Sequence, residues 1–240
     1  MQTTAAKLVN LIRSVVPDLA DLPLYLVFAS DLAVLSDYID PSCDAVCGRH
    51  LDLELRSHLE SRGQWQGRGA AIIARDDVGN GALAGLILHE LGHILDASLD
   101  LSEPESFSHI ERLLEISAAV REFWNQSPTD LPAWFAHEAV WLRNCIHLHA
   151  RFEAAGMSVP LPLVIPGHYG ISSCWKYHAE LGDEPKRLER ESFATIRNTK
   201  PPREFSDLWC RDIRATFLLH SECPPRWAQV CISELEKYTA

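Results

Sequence analysis

A chain of 240 residues with 47% hydrophobic and 23% charged residues is long enough for one domain with a substantial core, and its composition is that of a globular protein. The net charge of −11 argues against broad binding to nucleic acid or anionic membranes, which needs a positive surface. No stretch approaches the ~20 apolar residues of a membrane span.

In the first twenty residues, Lys7 and Arg13 are interleaved with Leu8, Leu11, Ile12, Val15 and Val16. This is amphipathic helical spacing, not a charged segment followed by an apolar one, so no signal peptide is read and a cytoplasmic protein is expected. Leu24 to Ala29 is a short apolar run opened by Pro23 and closed by Ser30-Asp31, and reads as a buried strand. Residues 38–49, punctuated by Pro41 and Gly48, read as loop. Leu51, Leu53 and Leu55 alternate with charged residues, so residues 51–59 fit either a strand or a short helix. Gly63, Gly67 and Gly69 mark a turn around Trp65, and Ala70 to Ala74 is a second strand.

After Val78-Gly79-Asn80-Gly81, a helix is expected from Ala82 to Leu99. Leu83, Ile87, Leu91, Ile94 and Leu95 form its apolar stripe, while His89, His93 and Asp96 share another face. Gly85 and Gly92 each weaken an isolated helix by about 1 kcal/mol, so close packing of another backbone is expected there.

Downstream the pattern is helical. Helices are expected over 105–124, 133–155 with Gly156 as C-terminal cap, 173–181, 186–197, 204–220 and 225–238. Gly182 and Pro185 separate the third and fourth of these, and Pro201-Pro202 stops the fourth. Arg187, Arg190, Arg197, Lys200 and Arg203 read as a solvated helix face. The seven cysteines are odd in number and irregularly spaced, and Cys43-x-x-x-Cys47 has no matching second pair, so reduced thiols are expected. With no repeat or flexible linker, residues 1–240 read as a single domain: a sheet with one helix over 1–100, then a helical part over 101–240.

The chemistry concentrates in His89-Glu90-Leu91-Gly92-His93, an HExxH match. Residues four apart on a helix lie on one face, so His89 and His93 are placed to hold one zinc ion, with Glu90 beside them to act on water. A catalytic zinc takes three protein ligands and leaves one position open. Asp96 is a poor third: it lies about 10 Å along the axis from His89. It reads as an acceptor orienting a histidine ring or as a polar helix end.

The order strand, glycine-rich loop, strand and HExxH helix resembles the zincin metallopeptidases, the specific likeness covering residues 70–99. The resemblance implies an α+β, zincin-like fold with a small N-terminal sheet packed on the active-site helix. It also implies His89 and His93 as zinc ligands, Glu90 as general base, and a third ligand downstream. Asp96 stands where the metzincins have glycine, and Leu99 where they have the next histidine, so that subclass does not fit.

His137, in His137-Glu138-Ala139-Val140-Trp141, is similar to the His-x-x-x-aromatic segment that supplies the third histidine of SprT-like zincins, although Glu138 replaces the glycine that often follows. His137 is therefore taken as the third ligand, ahead of Glu191, which resembles the helix glutamate of gluzincins, and Glu115. His147 and His149 read as structural histidines. In several zincins a downstream histidine or tyrosine donates to the oxyanion, and His168 or Tyr169, between Gly167 and Gly170, is a candidate for that role, but a plain surface turn is the stronger reading.

The expected function is zinc-dependent hydrolysis of a peptide bond in a peptide or protein. The alternatives are a zinc- or partner-binding protein on the same scaffold without turnover, and a helical interaction module in which the motif is accidental.

Overall fold

The computed structural model describes residues 4–20, 23–32, 45–48, 53–75, 77–96, 139–165, 183–205 and 207–208. Within them the protein is α+β. Helix α1 (Thr4–Val15) is followed by strand β1 (Leu24–Phe28), strand β2 (Ala45–Gly48), helix α2 (Leu53–Ser61), strand β3 (Ala70–Ala74) and helix α3 (Asn80–Asp96). Then come helices α4 (Ala139–Ala154), α5 (Leu161–Val164), α6 (Asp183–Arg187) and α7 (Phe193–Asn198). Among the described residues, no helix is long and apolar enough to cross a membrane.

The sheet has the order β1-β3-β2. Strand β1 runs parallel to β3, pairing Leu24 with Ala70 and Phe28 with Ala74. Strand β2 runs antiparallel, pairing Ala45 with Ala74 and Gly48 with Ala71. All five residues of β3 are buried, as expected of a central strand covered on both faces. The period of two divides its side chains. Ala70, Ile72 and Ala74 join the main core, with Ile12, Val16 and Leu19 on one side and the stripe of α3 on the other. Ala71 and Ile73 face the opposite way, onto Tyr25, Val27, Leu55 and Leu59. Alanine at positions 70 and 74, on the face shared with α3, lets that helix lie close to the strand.

Two expectations are corrected here. Residues 45–48 are not loop: they form the antiparallel strand β2. A four-residue Ala-Val-Cys-Gly segment has no legible period of its own, and its extended form comes from pairing with β3. The ambiguous stretch from Leu51 resolves as helix α2, because Leu55 and Leu59, one turn apart, are both buried against the second face of the sheet.

Helix α3 begins at Asn80, two residues before the expected start. Its stripe of Leu83, Ile87, Leu91, Ile94 and Leu95 is buried throughout. Helix α4 crosses α3 at Gly92, where a Cβ would come within 2.5 Å of Cys145 Sγ and 2.9 Å of Trp141 Nε1. The expected close packing at Gly92 is therefore present, and the second helix contributes its side chains to it. Asn144 Nδ2 donates to the Gly92 carbonyl (3.3 Å) in the same contact. Helix α4 ends as read from the sequence: Gly156 has φ of 83°, its N–H donates to Glu153 O, and that of Met157 donates to Phe152 O, a Schellman closure.

The far side of α4 buries charge. Arg143 pairs with Glu184 of α6 and donates to the Thr199 carbonyl. Arg151 donates to the Leu188 carbonyl (3.2 Å) and lies over the Phe193 ring, 4.5 Å from its centroid. The expected helix over 186–197 is two helices separated by a turn. Pro185 does not separate helices. It sits in the first turn of α6, where backbone N–H groups need no intrahelical acceptor. Helix α7 is capped by Ser192, which accepts from the Thr195 N–H (3.0 Å), and by Asp18, whose carboxylate accepts the Phe193 N–H (2.9 Å). Of the expected basic face, Arg187, Arg190, Lys200 and Arg203 are exposed, but Arg197 is half-buried and donates to the Asp96 carbonyl (2.9 Å) at the end of α3.

Candidate metal centre

Along α3, His89, His93 and Asp96 form a half-buried line on a helix whose other residues from Ile87 to Leu95 are buried. The two imidazoles are neighbours, with centroids 5.1 Å apart and planes 66° apart. This is the one-face arrangement expected of residues four apart.

Backbone and aromatic groups hold the His89 ring. Its Nδ1 lies 3.0 Å from the Val164 carbonyl, which can only accept, so the ring proton is on Nδ1 and the lone pair on Nε2. Burial lowers the pKa of His89 to about 4, although the Val164 hydrogen bond works the other way. The ring is thus neutral at neutral pH, the form in which histidine ligates metal. Trp141 of α4 packs against both histidines. Its ring stacks on His93 at 5.4 Å with planes 26° apart and meets His89 edge-on at 4.9 Å. The indole N–H donates to the His89 carbonyl (3.3 Å).

Glu90, next to His89 in sequence, is buried and meets β2. It is 7% exposed, and burial raises its pKa to about 7; a hydrogen bond from the Cys47 thiol on β2 partly offsets the rise. A carboxyl of this kind exchanges protons near neutral pH.

The other sequence candidates separate into three groups. Among the described residues, no third His, Cys, Asp or Glu joins His89 and His93 to make a metal-holding group. Asp96, on the same helix face, forms no such group with them. Glu191 is exposed in the turn between α6 and α7, where its carbonyl accepts from Arg151, and so lacks the helix position its resemblance implied. His137, Glu115, His168 and Tyr169 lie outside the described residues. His147 and His149 are buried on α4. His149 Nε2 donates to the Val159 carbonyl (2.7 Å), and His147 is buried beside Glu184, 3.8 Å away, and Phe193.

Three contributors were not read from the sequence as part of the site: Trp141, Cys47 and the Val164 carbonyl. Trp141 reads from the sequence as the aromatic of the His137 segment and as core, not as a contact of His89 and His93, and a backbone carbonyl has no side-chain signal.

The donor set fits zinc as far as it extends. Two imidazoles stand on one helix face, His89 neutral and oriented by a backbone acceptor, with a tryptophan packed against both and an ionisable carboxyl next in sequence. Compared with known protein families, characterised proteins and solved structures, the chain finds no match.

Proposed function

We propose that this chain is a zinc-dependent peptidase of zincin-like architecture, in which His89, His93 and His137 hold the ion and Glu90 is the general base. The observation that carries the reading is the hydrogen bond from His89 Nδ1 to the Val164 carbonyl, which directs the ring's lone pair to Nε2 and fixes its plane. Ligating histidines almost always have such an acceptor behind them. His137, which lies outside the described residues, is kept as the third ligand on the resemblance of its segment to the His-x-x-x-aromatic segment of SprT-like zincins.

A zinc ion in this set supplies the Lewis acidity that makes water acidic near neutral pH and polarises a carbonyl. Glu90, with a pKa of about 7, takes a proton from the attacking water and returns it to the leaving amine. Trp141 and the apolar stripe of α3 limit water around the two imidazoles. The substrate class is a peptide or protein. The thiols of Cys47 and Cys145 suit a reducing compartment such as the cytoplasm.

Elemental analysis of untagged protein tests the metal, with about one zinc per chain expected and none in His89→Ala. Hydrolysis of an unbiased peptide library tests the reaction. Glu90→Gln keeps the zinc and loses activity by about a hundredfold or more. Zinc-free wild-type protein, or full activity in the glutamine variant, would sink the proposal. The hydrogen bond from Cys47 to Glu90 favours a second reading, a zinc-binding protein without turnover. Stoichiometric zinc with no cleavage of any library peptide would select it.

A further inference from the structure

We infer that Trp141 is a positioning residue of the metal centre, holding both imidazoles in their ligating orientation before any ion arrives. The inference rests on the zinc reading above and goes beyond it, since a core tryptophan needs no particular relation to the motif. Three contacts converge on this side chain: the face-on contact with His93, the edge-on contact with His89, and the N–H bond to the His89 backbone. Each constrains a different degree of freedom. The stack restricts rotation of the His93 ring about its Cβ–Cγ bond. The edge contact blocks the His89 ring from swinging toward α4. The N–H bond fixes the indole itself on the helix backbone.

The sequence makes room for this. Trp141 Nε1 would lie 2.9 Å from a Cβ at position 92, so only glycine there allows the indole to sit across the HExxH turn. Trp141 is wholly buried and cannot swing aside to relieve such a clash. On the other side of His89, Val164 fixes the ring at Nδ1. The imidazole is therefore bounded by an acceptor on one side and an aromatic wall on the other. Groups that orient ligands in this way typically govern metal affinity by about ten- to a hundredfold.

The test uses the full chain with zinc and with cobalt as a spectroscopic stand-in. Zinc affinity is measured by competition with a chelator, and the geometry of the site by the visible absorption of the cobalt form. Trp141→Leu is expected to bind zinc about tenfold more weakly or worse, with a shifted cobalt spectrum, while Trp141→Phe, which keeps an aromatic face, stays within about threefold of wild type. Trp141→Met, flexible and without a ring plane, takes the place of the leucine variant if circular dichroism shows that variant unfolded.

Wild-type affinity and an unchanged cobalt spectrum in the non-aromatic variant overturn the inference. So does a phenylalanine variant as impaired as the non-aromatic one. Failure of the zinc reading looks different, because wild-type protein then takes up neither ion and shows no cobalt bands.

Discussion

His89 donates from Nδ1 to the carbonyl of Val164, 75 residues further along the chain, at 3.0 Å. The bond joins the motif helix to a short helix that contributes no polar side chain to the site. His89 serves both as a ligand candidate and as a tie between α3 and α5.

That tie predicts a loss in the metal-free protein. His89→Ala leaves the Val164 carbonyl without this donor in a buried place and should lower stability by about 1–3 kcal/mol. Urea unfolding of variant and wild type in the presence of chelator measures the loss. An unchanged midpoint would mean that the Val164 contact adds nothing.

The two perturbed groups of the motif have opposite linkage. Glu90 has its pKa raised from 4.5 to about 7, so the folded state holds this proton more tightly. Stability from it is full below pH 4.5 and is lost as pH rises through 7. His89 has its pKa lowered from 6.5 to about 4, so its contribution is present above pH 6.5 and is lost as pH falls toward 4. Between pH 4.5 and 6.5 the two oppose each other. In metal-free protein Glu90→Gln should therefore gain on wild type as pH rises, by about 2–3 kcal/mol at pH 8 and little at pH 4.5. Metal-free His89→Ala should retain only the alkaline loss. Urea midpoints from pH 4.5 to 8 report both slopes, and parallel curves for the three proteins would contradict the assignment.

Gly92→Ala separates helix propensity from packing. Propensity alone would stabilise the helix by about 1 kcal/mol. The added methyl, however, meets Cys145 Sγ and Trp141, both wholly buried. A net loss of about 1–3 kcal/mol is expected, the usual cost of overpacking, together with weakened zinc binding as the indole shifts. A more stable variant would show that α4 can withdraw from α3 at no cost.

Arg143 and Glu184 form a buried pair beside His147 and Arg151. Glu184→Leu leaves the buried Arg143 guanidinium without that carboxylate and should cost about 3–5 kcal/mol. Adding Arg143→Met should restore much of the loss, because an apolar pair of similar volume avoids the desolvation of both ions. A double-mutant cycle by urea unfolding measures the coupling, and simple additivity would mean the ions act independently.

Legibility in the sequence followed the range of the forces involved. β3 and α3 could be read because Ala70 to Ala74 and the stripe from Leu83 to Leu95 carry their periods within a single turn or strand. The motif could be read for the same reason, since His89 and His93 share a face by helical spacing alone. β2 could not, because Ala45 to Gly48 becomes a strand only through β3. The break between α6 and α7 was hidden because its cause is distant: Arg151 takes the carbonyls of Leu188 and Glu191, and Asp18 takes the Phe193 N–H. Trp141 was legible as core, but its contact with both histidines depends on how α4 crosses α3 at Gly92. In each missed case the deciding partner lies tens of residues or more away.

Asp18 is 175 residues from the amide it caps, and Arg197 is 101 residues from the carbonyl it closes at the end of α3. On the ribosome, where the chain emerges from its N-terminus at about 5–20 residues per second, the motif helix is made well before the arginine that completes it. The HExxH helix therefore spends several seconds of every synthesis with its C-terminal carbonyls lacking that donor. Loop closure of such length is slow. Under the proposed zinc reading, an ion that met the two histidines during that interval would find α3 before α7 had closed its end.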